Sequence, residues 1–394
     1  MSKIWDRPLS SWPVFCQEEI DATSKVLASG KVNYWTGGEG KAFEQEFAAF
    51  CHTKHAIAVS NGTAALELAL EALGIGAGDE VIGTPRTFMA SASCVVTRGA
   101  TPIFADVDPK SGNITAETIE AAITKKTKAI IPVHLAGMPC EMDAIMTLAE
   151  NHNLHVVEDC AQAHGAKYKG RPVGSIGHIG AFSFCQDKIM TTGGEGGMLV
   201  TNDEEIWKKA WAYKDHGKSY NATYNREHPP GFRWLAESFG TNYRMTEMQS
   251  AIGRHQLKLL PEWIAARQKN AGILDACIAK FPALKVQEVP KHIVHARYKY
   301  YTSVISSKLK DGWGRDRVQD MFWDEGIPCF VGSCSEIYNE KAFEITGLRP
   351  AQPLPIAKEL GETTLMFLIH PTLILDEMNA MCEAIEKIMD QASK

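Results

Sequence analysis

Nowhere in the chain is there an apolar run long enough to cross a bilayer, and the opening stretch MSKIWDRPLSSWPVF lacks the apolar centre of a signal peptide. A cytoplasmic protein is therefore expected. An excess of positive charge is missing as well: 41 Lys and Arg face 47 Asp and Glu, a formal net charge of −6. That leaves no broad basic footprint for a nucleic acid, although a few local donors could still hold an anionic ligand. No Cys-x-x-Cys occurs among the 10 cysteines, which are scattered from Cys16 to Cys382 without ligand-like pairing to histidine. Reduced thiols are the expectation, with neither a disulfide framework nor a metal site. The phosphate-binding order Gly-x4-Gly-Lys-Ser/Thr is absent, and so are internal repeats and low-complexity tracts.

What is present is an ordinary globular composition over 394 residues, more than one hydrophobic core usually serves. Two units are expected, residues 1–260 and 261–394. Apolar, β-branched runs predict strands at His55–Ser60, Glu80–Thr84, Pro102–Asp106, Ala129–His134, His155–Asp159, Gly180–Phe184 and Met198–Thr201. Helical spacing lies between several of them, at Thr63–Leu73, Thr115–Ile123 and Glu141–His152. This alternation predicts an α/β class with a mostly parallel seven-stranded sheet flanked by helices. Ligands of such sheets gather at the carboxyl ends of the strands.

Ser60 and Asn61 are placed to cap the helix at Thr63, and Gly74 and Gly76 to end it. The segment Tyr213–Arg244 is too long for a plain connection and too aromatic for a solvated linker, which points to function. A helix from Thr246 is expected to end near Leu260, ahead of Pro261. The remainder reads as a smaller α+β unit, with one strand near Tyr298–Ile305 and a closing helix from about Asp376.

Chemistry first surfaces in His155-Val-Val-Glu-Asp-Cys-Ala-Gln162, where an acid pair closes an apolar strand. A carboxylate there is often a cap or an ion-pair partner. Lys188 adds weight, standing just past the next strand and before Thr191-Thr-Gly-Gly-Glu-Gly-Gly197, although alone it reads equally as a solvated loop lysine. Together they match what pyridoxal phosphate (PLP) needs: an amine for a Schiff base, an acid for the pyridine nitrogen, donors for the phosphate and a flat partner for the ring. Lys188 offers the amine and Asp159 the acid. Gly62 and Thr63 offer free N–H groups at a positive helix end, and Phe88 could cover the ring. An unpaired acid at a buried strand end is unfavourable, which favours a functional Asp159. His134 and His164 are explained as well by burial and hydrogen bonding, and stay outside the catalytic set.

The chain resembles the DegT/DnrJ/EryC1/StrS sugar aminotransferase family, which makes amino-sugars for lipopolysaccharide, glycans and antibiotics. The resemblance rests on Ser60-Asn-Gly-Thr-Ala-Ala-Leu66, Pro132-Val-His-Leu-Ala-Gly137, Glu158-Asp-Cys-Ala-Gln-Ala-His-Gly165, Phe182-Ser-Phe-Cys-Gln-Asp-Lys188, Gly194-Glu-Gly-Gly197 and Gly240-Thr-Asn-Tyr-Arg-Met-Thr-Glu247. It is looser in the C-terminal unit, around Arg297–Ile305 and Gly326-Ile-Pro328. Arg86 and the extra glycine in Gly193-Gly-Glu-Gly-Gly197 depart from the family pattern. Arg86 is read as marking a local substrate preference.

The resemblance implies the PLP-dependent transferase fold of type I and a homodimer with shared active sites. It places the Schiff base on Lys188, the pyridine contact on Asp159 and Gln162 near the phenolic oxygen. Phosphate contacts would fall on Gly62, Thr63 and Ser183, with Asn242 reaching in from the partner subunit. Ser183 is equally readable as a hydrogen bonder within its own strand. Glu195 is a candidate for contacting sugar. The activity implied is amino transfer, with L-glutamate as donor, to a nucleotide-linked 4-keto-6-deoxyhexose at C4. Relatives that dehydrate sugars carry histidine at the lysine position, so Lys188 supports transamination. Three alternatives stay open: amination of a 3-keto nucleotide sugar, a PLP enzyme of free amino acids, and a non-catalytic regulatory protein of the same fold.

Overall fold

The computed structural model describes residues 3–394; Met1 and Ser2, where the first expected unit and the opening stretch begin, lie outside it. All seven expected strands form and join one sheet: β1 (His55–Val59), β2 (Glu80–Gly83), β3 (Thr101–Phe104), β4 (Thr127–Ile131), β5 (His155–Asp159), β6 (Ile179–Ser183) and β7 (Gly197–Thr201). Their order is β1-β7-β6-β5-β4-β2-β3. The run from β6 through β3 is parallel, while β7 is antiparallel to both β6 and β1. The exception has a simple cause. No helix lies between β6 and β7, and a parallel return needs a crossover.

Strands β6 and β7 are buried along their whole length, as apolar strands covered on both faces must be. Several strands stop before their apolar runs do. Ser60, Thr84 and His134 therefore belong to loops at the carboxyl edge of the sheet.

The helix Gly62–Ala72 follows β1 directly, and Asn61, rather than Ser60, is its cap: its side chain accepts from Ala64 N at 2.8 Å. Its buried face of Ala64, Ala65, Leu66, Leu68, Ala69 and Leu70 packs against the sheet. The helix expected at Thr115–Ile123 is shorter, Ala116–Glu120, and Glu141–His152 becomes Met142–Asn151.

The expected stop at Pro261 is wrong. One helix runs from Glu247 to Ile278 with Pro261 inside it. A mid-helix proline forfeits one hydrogen bond and costs about 3 kcal/mol. Packing on either side offsets it. Leu260 is buried in the core beside the sheet, with Leu257, Trp263 and Ile264 against the same cluster. Further on, Ala271, Leu274, Cys277 and Ile278 enter the core of the C-terminal unit. The same core takes Ile4, Trp5 and Leu9 of the N-terminal segment against it.

The C-terminal unit carries a four-stranded antiparallel sheet of β8 (Leu284–Val286), β9 (Tyr300–Val304), β10 (Cys329–Phe330) and β11 (Thr364–Phe367), in the order β8-β9-β11-β10. It is closed by the helix Leu375–Ala392. The aromatic segment 213–244 starts inside the helix Glu204–Lys214 and contains the short helix Tyr220–Tyr224. Beyond these it leaves Phe232, Trp234 and Phe239 exposed.

Candidate active site

Loops at the carboxyl ends of β1, β2, β5 and β6 enclose one cleft of about 640 Å³. Lys188, Asp159, Gly62, Thr63, Phe88, Gln162, Ser183 and Glu195 all line it. Asn242 does not: it is exposed, and its Oδ1 accepts from Arg244 N at 3.3 Å. Arg86 also lies elsewhere. It is buried in the seam between the two units, so its side chain meets no substrate in the cleft, and the expected role in substrate preference is withdrawn.

The acid pair at the end of β5 is split by its surroundings. Glu158 accepts from the N–H groups of Gly174, Ile176 and Gly177 and from His134 Nε2. Burial pushes its pKa up, but these bonds outweigh burial and hold it below the ordinary carboxylate value. Cys160 Sγ lies near this pair, yet hydrogen bonds already take up the Glu158 oxygens, and His134 Nδ1 accepts from Cys140 N. Asp159 is the opposite case. It accepts only from Ser91 Oγ at 2.7 Å and Ala161 N at 3.1 Å, and burial pushes its pKa up. It is a buried carboxylate in a cleft wall with no ion pair among the described residues, and its form suits a cationic ring nitrogen.

At the other end of the cleft the N–H groups of Gly62 and Thr63 precede the first intrahelical bond, Ala65 N to Asn61 O at 3.2 Å. They are free for an anion at the positive end of the helix. A Cβ on Gly62 would lie 2.6 Å from Ser183 Cβ, so only glycine lets the helix start approach β6 this closely. Ser183 Oγ accepts from Cys185 N at 3.3 Å and keeps its own proton for the cleft. Gln162 Oε1 accepts from Ala136 N at 2.7 Å, which leaves its Nε2 as the donor facing inward. Phe88 is 69% exposed at the mouth, available to cover a flat ligand. The donor set therefore fits PLP. Gly62→Ala is expected to weaken cofactor binding about tenfold or more in an absorbance titration. Unchanged affinity would mean that the phosphate sits elsewhere.

Lys188 supplies the one cation that lines the cleft among the described residues. Its Nζ is 3.9 Å from Asp187 Oδ1 and 5.0 Å from the centre of the Tyr298 ring. The Tyr298 hydroxyl donates to Asp187 Oδ2, and Lys299 Nζ is 3.8 Å from the same oxygen. Burial pushes Asp187 up, but Lys188, the Tyr298 hydroxyl and Lys299 outweigh it and leave the carboxyl below its ordinary value. Burial lowers Lys299 to about 8. The backbone oxygen of Lys188 is held by Trp12 Nε1 at 2.9 Å, so the N-terminal segment helps to set the loop. In that loop Gly193 and Gly194 both have positive φ, 83° and 119°, which accommodates the additional glycine. Gly194 N donates to Thr191 Oγ1, and Glu195 stands exposed beyond it.

Ser91, Asp187 and Tyr298 were not singled out from the sequence. Asp187 was signalled by its place beside the lysine, and Tyr298 by lying in the matching stretch 297–305. Ser91 carried no signal of its own. His164 sits buried between Phe182 and Phe184 with neither ring nitrogen partnered among the described residues, and burial pushes its pKa down to about 3. It is neutral in the working range.

Comparison with known proteins agrees with this architecture. The profile of the DegT/DnrJ/EryC1/StrS aminotransferase family matches residues 14–386. The chain is similar to an aminotransferase from Psychrobacter cryohalolentis of known crystal structure, with a TM-score of 0.96 and 59% identity over 97% of this chain and 99% of that one. It is 39% identical to the spore coat polysaccharide biosynthesis protein SpsC of Bacillus subtilis, over 97% of each. It is 36% identical to the GDP-perosamine synthase of Escherichia coli O157:H7, over 90% of this chain and 92% of the other. Further relatives are named for 3-amino products or for 3-amination. The chain belongs to the DegT/DnrJ/EryC1/StrS aminotransferase family and is a pyridoxal-phosphate-dependent sugar aminotransferase.

Proposed function

We propose that the enzyme moves an amino group from L-glutamate to C4 of a nucleotide-linked 4-keto-6-deoxyhexose, with Lys188 and Asp159 as its catalytic residues. The observation that carries the reading is the character of the cleft wall. Apart from Lys188 it holds no cation, while Ser60, Thr87, Tyr243, Ser333 and Glu195 offer hydroxyl and carboxylate groups. A wall of that kind suits a neutral, hydroxyl-rich sugar.

PLP, when bound, supplies an electron sink and a carrier for nitrogen. Lys188 Nζ would anchor it covalently and, when free, would take and return the proton at the amino-bearing carbon. Asp159 would face the ring nitrogen and keep that nitrogen protonated. Gly62, Thr63 and Ser183 would hold the phosphate, and the Gln162 Nε2 donor would meet the phenolic oxygen. The Glu195 carboxylate, exposed in the loop beyond Lys188, would contact sugar hydroxyls.

With four acids in its wall, the cleft of one chain is a poor place for a diphosphate or for glutamate's carboxylates. We assign those groups, and Asn242, to the seam with a second copy of the chain. The exposed Phe232, Trp234 and Phe239, close in sequence to Asn242, support a homodimer there. Amination of a 3-keto sugar is the second reading, favoured by the names of several relatives.

The test is conversion of nucleotide-linked 4-keto and 3-keto sugars by the PLP-loaded enzyme with L-glutamate, the aminated carbon being located by NMR. The 4-amino product is expected. A 3-amino product alone would overturn the assignment of position, and turnover of amino acids without any sugar would overturn the acceptor class. Glu195→Gln is expected to raise KM for the sugar severalfold with kcat little changed, whereas an unchanged KM would remove Glu195 from the sugar site.

A further inference from the structure

Arg86 belongs to no part of the cleft, yet its setting demands a partner. A pocket of about 40 Å³ lies between the loops carrying Arg86 and Gly112 on one side and β8, β9 and Thr364 on the other. Its lining includes Arg86, Lys110 and Lys285 and contains no carboxylate. It shares no lining residue with the PLP cleft.

The Arg86 side chain is 3% exposed. Nη2 donates to Thr364 Oγ1 at 3.0 Å, and the ring of Tyr301 lies 5.6 Å from the guanidinium carbon. Nε and Nη1 are buried with no partner among the described residues. Burial lowers the pKa of Arg86, and the only group opposing that shift is Tyr301; no carboxylate acts on it. A guanidinium keeps its proton in proteins, so a bare buried charge with two idle donors remains. Groups of that kind are among the least favourable to leave unmatched in an interior.

The geometry points to a bound counter-ion: we propose that this pocket is a site for a small monovalent inorganic anion of chloride size, held by Arg86 Nε and Nη1. The volume admits one such ion, being a few times the minimum that a water needs. Lys285 Nζ, tethered to Pro109 O at 3.2 Å, stands at the rim and joins β8 to the loop opposite. Gly112 lies on the same side as Nε: a Cβ there would be in ordinary contact with Arg86 Nε, at 3.7 Å. Gln287 lines the pocket with an Oε1 that has no donor, and a half-turn of its amide presents N–H groups to the anion instead. The anion bridges the sheet unit and the C-terminal unit and stabilises their contact by mass action.

The test compares thermal unfolding of the PLP-loaded protein in bromide and in gluconate at equal ionic strength, for wild type, Arg86→Met and Lys285→Ala. Gluconate is too large for the pocket. Bromide is expected to raise the wild-type Tm saturably by about 2 °C or more. That increment disappears in Arg86→Met and shrinks in Lys285→Ala, and a bromide-soaked crystal shows an anomalous peak beside Arg86 Nε. An increment of equal size in all three proteins, or water alone in the pocket of the soaked crystal, overturns the site. Lys285 is exposed and its replacement leaves the core untouched, so it decides the matter if Arg86→Met does not fold.

Discussion

Lys188→Ala is expected to lower amino transfer by about 10³-fold or more while leaving the protein folded and still able to bind PLP. Its Nζ is the one side-chain amine that lines the cleft among the described residues, so none of them can take over either covalent attachment or proton transfer. Lys299, whose pKa burial lowers to about 8, is the nearest alternative, but it is engaged with Asp187 at 3.8 Å and does not line the cleft. The visible absorption band of the lysine-linked cofactor should be lost in the variant, with cofactor retained through the phosphate donors and released on dialysis. Small primary amines added to the variant should restore part of the proton-transfer rate. A variant that keeps both the band and its turnover would remove Lys188 from the mechanism.

Asp159→Asn is expected to separate stability from function. In the cofactor-free protein burial raises the pKa of Asp159 above its unfolded value. The folded chain then binds more protons than the unfolded one, so the contribution of this group to stability falls as pH rises from the ordinary carboxylate range through the raised value. Removing the charge removes that loss. Without PLP, Asp159→Asn should be as stable as wild type below the ordinary carboxylate range and more stable than wild type at neutral pH. With PLP the order reverses: affinity drops and kcat falls by about 10²-fold or more, because no charge remains to hold the ring nitrogen protonated. Thermal unfolding with and without cofactor from about pH 3 to about pH 8, with kcat alongside near neutral pH, reads both effects. A variant destabilised in the absence of PLP at neutral pH would make Asp159 a structural residue instead.

Periodicity reached far in the sheet unit. Strands β1 to β7 are short apolar runs between turn residues, and burial on both faces leaves that signature most fully in β6 and β7. The helix cap at Asn61 was equally local, because the cap, its acceptor role and the following apolar stripe all lie within a few residues. Lys188, Asp159, Gly62 and Thr63 could be picked out because each stands at a strand end or a helix start, where the fold class itself collects ligands.

The helix through Pro261 was not legible, since a local rule says stop and only packing against two separate cores says continue. Ser91 is 68 residues from the Asp159 carboxylate it holds, and Tyr298 is 111 residues from Asp187. Nothing in the spacing of such residues records that they meet. Arg86 makes the same point in reverse: it stands near Phe88 in the sequence, but the chain turns its side chain into the seam rather than the cleft. The sequence by itself determined the strands, the helix caps and the residues waiting at the strand ends, because hydrophobic period and capping act over a turn or two of chain. The tertiary structure alone decided which distant hydroxyls and charges meet those residues and which buried groups are left without a partner, because burial and electrostatics depend on distance in space and not along the chain.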